Sequence, residues 1–234
     1  MTSDVTRVGD TVRRPRTAAS PFVAALLQLL EQRGFTGAPQ YLGQSRDRDI
    51  FSFVDGEVPE RFRPWSDAQV AAAGALLRAL HDATRGSTLA GRFPVICHHD
   101  PGPNNAVFPD GLSGMPRVFI DYDEAAPGHP LEDVGYASWA WCCSSKASAP
   151  AVDRQAKQVR ILADSYGLTE IERSVLTDAI LERLARNVRF WAQQLADPGT
   201  ISVADETAAA RIAWTRMEHD FVHAHRATFD RALS

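Results

Sequence analysis

Lysine is nearly missing from this chain. Of 25 basic residues only Lys146 and Lys157 are lysines, so the first 145 positions carry no ammonium side chain. An anion held by that stretch must be gripped by arginine or by backbone N–H groups. Cysteine is also scarce. Cys97, Cys142 and Cys143 have neither metal-ligand spacing nor the count of a disulfide framework, which predicts reduced, buried thiols. Long apolar runs are absent too. Val134 to Cys143 is the longest, and a bilayer span needs roughly 20 such residues. Met1 to Arg16 is polar, with no apolar h-region of a secretory signal. These absences predict a cytoplasmic protein with no membrane partner. A net charge of −4 offers no basic field, which argues against nucleic acid as a partner. What remains is an ordinary soluble balance, 44% apolar and 23% charged over 234 residues, enough for one domain or two.

The pattern of elements predicts an α+β fold of two unequal parts. Thr11 to Arg14 reads as a strand stopped at Pro15. Ser20-Pro21 reads as an N-cap with proline behind it, opening a helix with Phe22, Val23, Leu26, Leu27 and Leu30 on one face. Gln40 to Gly43 and Asp49 to Val54 read as strands around a turn at Ser45 to Arg48, and Asp55-Gly56 breaks the run. Ser66 or Asp67 caps the next helix, which ends near Gly86. Phe93 to Cys97, Ala106 to Phe108 and Val118 to Ile120 are brief apolar strands, with Asp110-Gly111 as a turn. After Pro130 the pattern is helical throughout. Thr169-x-x-Glu172 is a capping box expected to open one long helix toward Leu195, and a last helix is expected from about Ala204 to Ala232.

The chemistry is concentrated in His98-His99-Asp100-Pro101-Gly102-Pro103-Asn104-Asn105 and, sixteen residues on, Asp121-Tyr122-Asp123. A carboxylate in a loop stiffened by Pro101 and Pro103 is placed to accept a proton. An amide oxygen at Asn105 and a carboxylate at Asp121 follow, an oxygen-only set that suits Mg²⁺ and not zinc. Asp123 falls on the same side of an extended segment as Asp121, as an outer metal contact or a solvated carboxylate. A proton acceptor, two hard-cation ligands and an apolar strand between them are the groups phosphoryl transfer needs. Any one of these residues alone would pass for a polar turn.

Val95 to Asn105, Val118 to Asp123 and Gly128-His129-Pro130-Leu131-Glu132-Asp133 together resemble the aminoglycoside phosphotransferase and choline-kinase-like family. The resemblance is strong over Phe93 to Trp141 and weaker over Ser20 to Gly56. It implies a bilobal, protein-kinase-like α+β fold, with a shortened strand-rich lobe over 1–55 that binds nucleotide and a mainly helical lobe over 56–234. It implies ATP (or another nucleoside triphosphate) and Mg²⁺ as cofactors, and a small-molecule hydroxyl as the acceptor. By motif, Asp100 matches the catalytic aspartate, and Asn105 and Asp121 the metal ligands. His98 matches a loop-supporting histidine, Asp133 a structural brace, and His99 stands where glycine is usual. Phe51 to Gly56 resembles the hinge strand, so the backbone at Phe53 and Val54 is expected to meet adenine.

The amino-terminal end departs from the family. Only ten residues precede the Thr11 strand and Gly9 is the one glycine there, too little for two typical strands and a phosphate-covering turn. The strand lysine is missing, so Arg13 or Arg14 must take its place. Matching the strand ending favours Arg13, with Arg14 on the other face and Glu31 as a candidate partner. Loss of both features leaves a second reading open, a nucleotide-binding module of the same fold without activity. From Val134 onward twelve acids balance twelve Lys and Arg, which gives no support to a polycationic acceptor. Trp139, Trp141, Trp191 and Trp214 serve either as an aromatic box for a quaternary ammonium or as packing residues. His219 and His223 have helical i, i+4 spacing but no third metal ligand in view. The oligomeric state has no signature in the sequence.

Overall fold

The computed structural model describes residues 5–60, 63–196 and 205–234. Its first part is a four-stranded antiparallel sheet made of β1 (Thr6–Val8), β2 (Thr11–Pro15), β3 (Tyr41–Ser45) and β4 (Arg48–Ser52), in the order β1-β2-β4-β3. Helix α1 (Ser20–Gln32) crosses between β2 and β3 and buries Val23, Leu26, Leu27 and Leu30. The ten residues before β2 hold one short strand, where two of typical length do not fit. A three-residue β1 folds back through a two-residue turn because Gly9 takes φ +58°, which costs glycine no Cβ clash. Ser20 starts α1 inside its first turn and is not its N-cap; its hydroxyl instead donates to Asp49 across the sheet.

The remainder is helical around two small strand pairs. Ser66 caps α2 (Asp67–Thr84) through a full capping box with Gln69. Strand β5 (Val95–Cys97) follows, and β6 (Ala106–Val107) pairs with β7 (Val118–Phe119) around the Asp110-Gly111 turn. β5 pairs with β8 (Ala126–Gly128), which the sequence pattern did not suggest because Pro127 sits at its centre. Helices α3 (Pro130–Cys142) and α4 (Val152–Tyr166) come next, followed by α5 (Glu170–Ser174) and α6 (Leu176–Ala196). Last are α7 (Asp205–Ala224) and α8 (Arg226–Leu233).

Two expected long helices are broken. The Thr169–Glu172 capping box forms, but Val175 leaves helical geometry at φ −111°, so α5 and α6 are separate. His225, at φ −105°, splits α7 from α8, and Ala204 lies outside the described residues.

Helix α3 is the spine of this part, buried along nearly its whole length. A Cβ on Gly135 would lie 2.8 Å from the carbonyl of Ala179, so α3 and α6 touch backbone to backbone there. That contact matters for the site, because Tyr136 and Arg183 stand one residue and one turn beyond it.

Candidate active site

The loop after β5 turns sharply at His99, whose φ of +64° lies in the left-handed region. Holding a β-branch-free but bulky residue there costs energy, and Asp133 in the first turn of α3 supplies the restraint. Its buried carboxylate accepts from the His98 N–H at 2.6 Å, the His99 N–H at 2.7 Å and His81 Nε2 at 3.0 Å. Burial alone would raise this carboxyl. The hydrogen bond and charge of His81, aided by His99, outweigh it and hold Asp133 at about 2.

Asp100, Asn105 and Asp121 are tied together by one short set of bonds. Burial lowers the pKa of His98, so the ring is neutral. The bonding pattern assigns its tautomer: Nε2–H donates to the Ile120 carbonyl at 3.1 Å, and Nδ1 accepts from the Asp100 N–H at 3.3 Å. Asn105 Nδ2 donates to the Asp100 carbonyl at 3.0 Å, which leaves its Oδ1 for a cation. The Ile120 N–H donates to the Asn105 carbonyl at 2.9 Å, placing Asp121 next in line at φ +65°. Desolvation and the charge of Asp123 raise Asp121, outweighing Arg14. An excess of negative charge beside a free amide oxygen is the donor chemistry Mg²⁺ takes.

The sheet reaches this centre through Arg14, not Arg13. Arg14 Nη2 lies 2.5 Å from Asp123 Oδ1 and Nη1 lies 3.5 Å from Asp121 Oδ1. Pairing with β4 sets the alternation: Arg14 opposite Asp49 and Val12 opposite Phe51 share the buried face, and Arg13 opposite Ile50 takes the other. The preference for Arg13 is thereby reversed. Glu31 does not join Arg14; it accepts from Gln40 at 2.9 Å.

At the hinge, the Phe53 N–H is already bound to the Asp10 carbonyl at 2.8 Å, and the Arg7 guanidinium sits 3.5 Å over the Phe53 ring. That withdraws the Phe53 N–H from adenine, against expectation. Val54 makes no backbone hydrogen bond among the described residues. The same contacts hold the Gly9-Asp10 turn at the hinge end of β2, opposite the Arg14 end. It therefore does not cover Asp121.

Two site residues had no signal in the motif. The Tyr136 hydroxyl donates to Asp100 Oδ1. Arg183 lies 4.5 Å over the Tyr136 ring and donates to the His99 carbonyl at 3.0 Å. Helical spacing from Asp133 could have pointed to Tyr136, but only the α3–α6 contact brings in Arg183.

Other candidates resolve as packing. Trp139 and Trp214 pair at 5.2 Å, Trp141 packs on Trp65 at 5.0 Å, and Arg211 covers Trp191, so the four tryptophans form no common box. His219 and His223 stack with no third ligand among the described residues. His81, Cys97 and Asp133 come within 4.8 Å of one another. They are spent on protein bonds, with Tyr166 on the other His81 nitrogen and the buried Cys97 thiol donating to His129.

Residues 86–158 match the model of the phosphotransferase enzyme family. The chain is 30% identical to the trifolitoxin immunity protein of Rhizobium leguminosarum bv. trifolii, across 98% of this chain and 95% of that one. The chain belongs to the aminoglycoside phosphotransferase and choline-kinase-like family. Solved structures of this phosphotransferase family share its fold. A choline/ethanolamine kinase family protein from Mesorhizobium loti aligns with a TM-score of 0.59 at 17% identity, over 97% of this chain and 89% of that one. A spectinomycin phosphotransferase, solved with ADP and spectinomycin, aligns with a TM-score of 0.64 at 13% identity, over 94% and 86%. The likeness of fold thus extends over 94–97% of the chain in these alignments. No described helix is long and apolar enough to cross a membrane.

Proposed function

We propose that this chain transfers the γ-phosphoryl group of ATP to a hydroxyl of a small molecule in the cytoplasm. The observation that carries the reading is the single bonded assembly of Asp100, Asn105 and Asp121, with Arg14 reaching it from the sheet. Asp100 takes the proton of the acceptor hydroxyl as its oxygen attacks phosphorus. The bond from phosphorus to the β,γ-bridging oxygen breaks, and ADP leaves. Asn105 Oδ1 and the Asp121 carboxylate would hold Mg²⁺, which supplies charge neutralisation at the phosphate oxygens. Arg14 does for phosphate what the missing lysine would do, through a permanently charged fork. Val54, whose backbone has no hydrogen-bond partner among the described residues, is the position offered to adenine. His98 and Asp133 hold the loop and transfer no proton.

The relative named as a toxin immunity protein fits the same chemistry, since phosphorylating a hydroxyl is one way to disarm a toxin. The test is ATP turnover with Mg²⁺ and no added acceptor, where water replaces the hydroxyl. Slow turnover abolished by Asp100→Asn supports the reading. Nucleotide binding without turnover in the wild type, under every acceptor tried, would assign the chain to the inactive binding modules.

A further inference from the structure

A long cationic side chain loses rotamer freedom when it closes on a ligand, so a strand residue that grips phosphate needs an anchor. Protein kinases supply one as a helix glutamate paired with the strand lysine. In this chain the carboxylates nearest to that role are taken. Glu31 lies exposed in the last turn of α1 and accepts from Gln40 Nε2 at 2.9 Å. Asp49 faces Arg14 across the β2–β4 register, but it accepts from the Ser20 hydroxyl and lies 3.6 Å from Arg16 Nε. Among the described residues, the ion pairs of Arg14 are made outside the sheet, with Asp121 and Asp123.

The two pairs differ in kind. Arg14 Nη2 meets Asp123 Oδ1 at 2.5 Å, a charge-assisted hydrogen bond, with the guanidinium 4.9 Å over the Phe51 ring. The Arg14 side chain is only 16% exposed, so solvent screens this bond little. Nη1 stands 3.5 Å from Asp121 Oδ1, a looser contact that leaves this arm of the fork beside the metal residue. Asp123 is itself held in place. It lies in a turn closed by the Ala125 N–H on the Tyr122 carbonyl at 3.0 Å. The Tyr122 ring is buried against His98 at 4.5 Å, and His99 Nδ1–H donates to the Glu124 carbonyl at 3.0 Å. The two residues before Asp100 therefore fix the turn on either side of Asp123. A rigid carboxylate on the catalytic side thus meets a strand arginine that has no anchor of its own.

We propose that Asp123 is the positioning residue for Arg14: its carboxylate fixes one arm of the guanidinium and leaves the other for the phosphates of the nucleotide. The inference rests on the phosphotransferase reading above and adds a second residue to its phosphate grip. Under it Asp123 is neither a metal ligand nor a solvated carboxylate, and its effect on nucleotide passes through Arg14. The sign of that effect is diagnostic. As a bare negative charge beside a polyanion, Asp123 would repel phosphate, and removing it would tighten binding. As a metal ligand, its removal would weaken binding whatever stands at position 14. As the anchor of Arg14, its removal weakens binding only while Arg14 is present.

Calorimetric titration of the full chain with Mg²⁺ and a non-hydrolysable ATP analogue, run as a double-mutant cycle, tests this. Asp123→Asn keeps the size of the side chain and removes its charge, and it is expected to weaken the analogue about fivefold or more. Asp123→Glu, which keeps the charge, is expected to recover part of that loss. In an Arg14→Ala background the same Asp123→Asn change is expected to shift affinity by less than about twofold, or to tighten it. A loss caused by a damaged loop would persist in that background. Two results would overturn the inference: an Asp123→Asn affinity equal to or tighter than the wild type's, or an undiminished loss once Arg14 is gone. The wild-type titration separates the two levels. If the analogue binds and Asp123→Asn is indifferent, only the role of Asp123 falls. If the analogue fails to bind the wild type, the phosphotransferase reading falls and takes this inference with it.

Discussion

Replacing Asp133 with asparagine tests whether the catalytic loop is held from below by charge. In the wild type one buried carboxylate receives three donors, from His98, His99 and His81. A carboxamide has a single oxygen, so at least one buried donor faces an NH₂ group and the remaining bonds lose their ionic component. An orphaned buried donor costs about 1–3 kcal/mol, and breaking a buried charge pair from one side about 3–5. A loss of about 4 kcal/mol lowers the melting temperature of a chain this size by roughly 10 °C. The pH dependence carries the same signature. Asp133 is held at about 2 against an ordinary 3.8, a difference on the order of 2 kcal/mol. A depressed carboxyl contributes its stability above the unfolded pKa and loses it as pH falls through the folded one. The gap between wild type and Asp133→Asn should therefore be full near pH 7 and narrow between about pH 4 and pH 2. Differential scanning calorimetry across that range reads both. Equal melting temperatures at neutral pH, or a gap that does not narrow on acidification, would refute the argument.

The other expectations are local. Arg14→Ala should raise the KM for ATP tenfold or more in the turnover assay and Arg14→Lys should recover part of it, while Arg13→Ala moves it little; equal effects at 13 and 14 would contradict the strand alternation. Gly135→Ala puts a methyl 2.8 Å from the Ala179 carbonyl, so thermal denaturation should show a loss of about 1–3 kcal/mol, and an unchanged melting curve would mean that α3 and α6 do not touch there. Tyr136→Phe keeps the ring under Arg183 but removes its hydrogen bond to Asp100 Oδ1, so kcat should fall more than KM rises; an unchanged kcat would reduce the hydroxyl to packing.

The centre of the site was legible because its residues are close in sequence. Asp100, Asn105 and Asp121 lie on two loops joined by a hairpin, so strand pairing alone brings them together. Asp133 is legible for a similar reason, one helical turn past β8. What the sequence hid depends on long-range packing. Tyr136 and Arg183 are 47 positions apart and meet only because Gly135 lets two helix backbones touch. The choice between Arg13 and Arg14 turns on a one-residue register that β4 sets and the strand's own residues do not. Strand β1 is only three residues long and ends in a Gly turn, too short for an alternating pattern to mark it in the sequence. The helix breaks at Val175 and His225 carry no glycine or proline, so no local breaker announced them.

The most direct measurement of the central claim is the Mg²⁺ dependence of ATP affinity in the wild type and in Asp121→Asn, by isothermal titration. If Asp121 and Asn105 hold the metal that the triphosphate shares, Mg²⁺ should tighten ATP binding to the wild type at least tenfold. The same addition should leave Asp121→Asn nearly unchanged. An Asp121→Asn variant whose ATP affinity responds to Mg²⁺ as strongly as the wild type's would contradict the account.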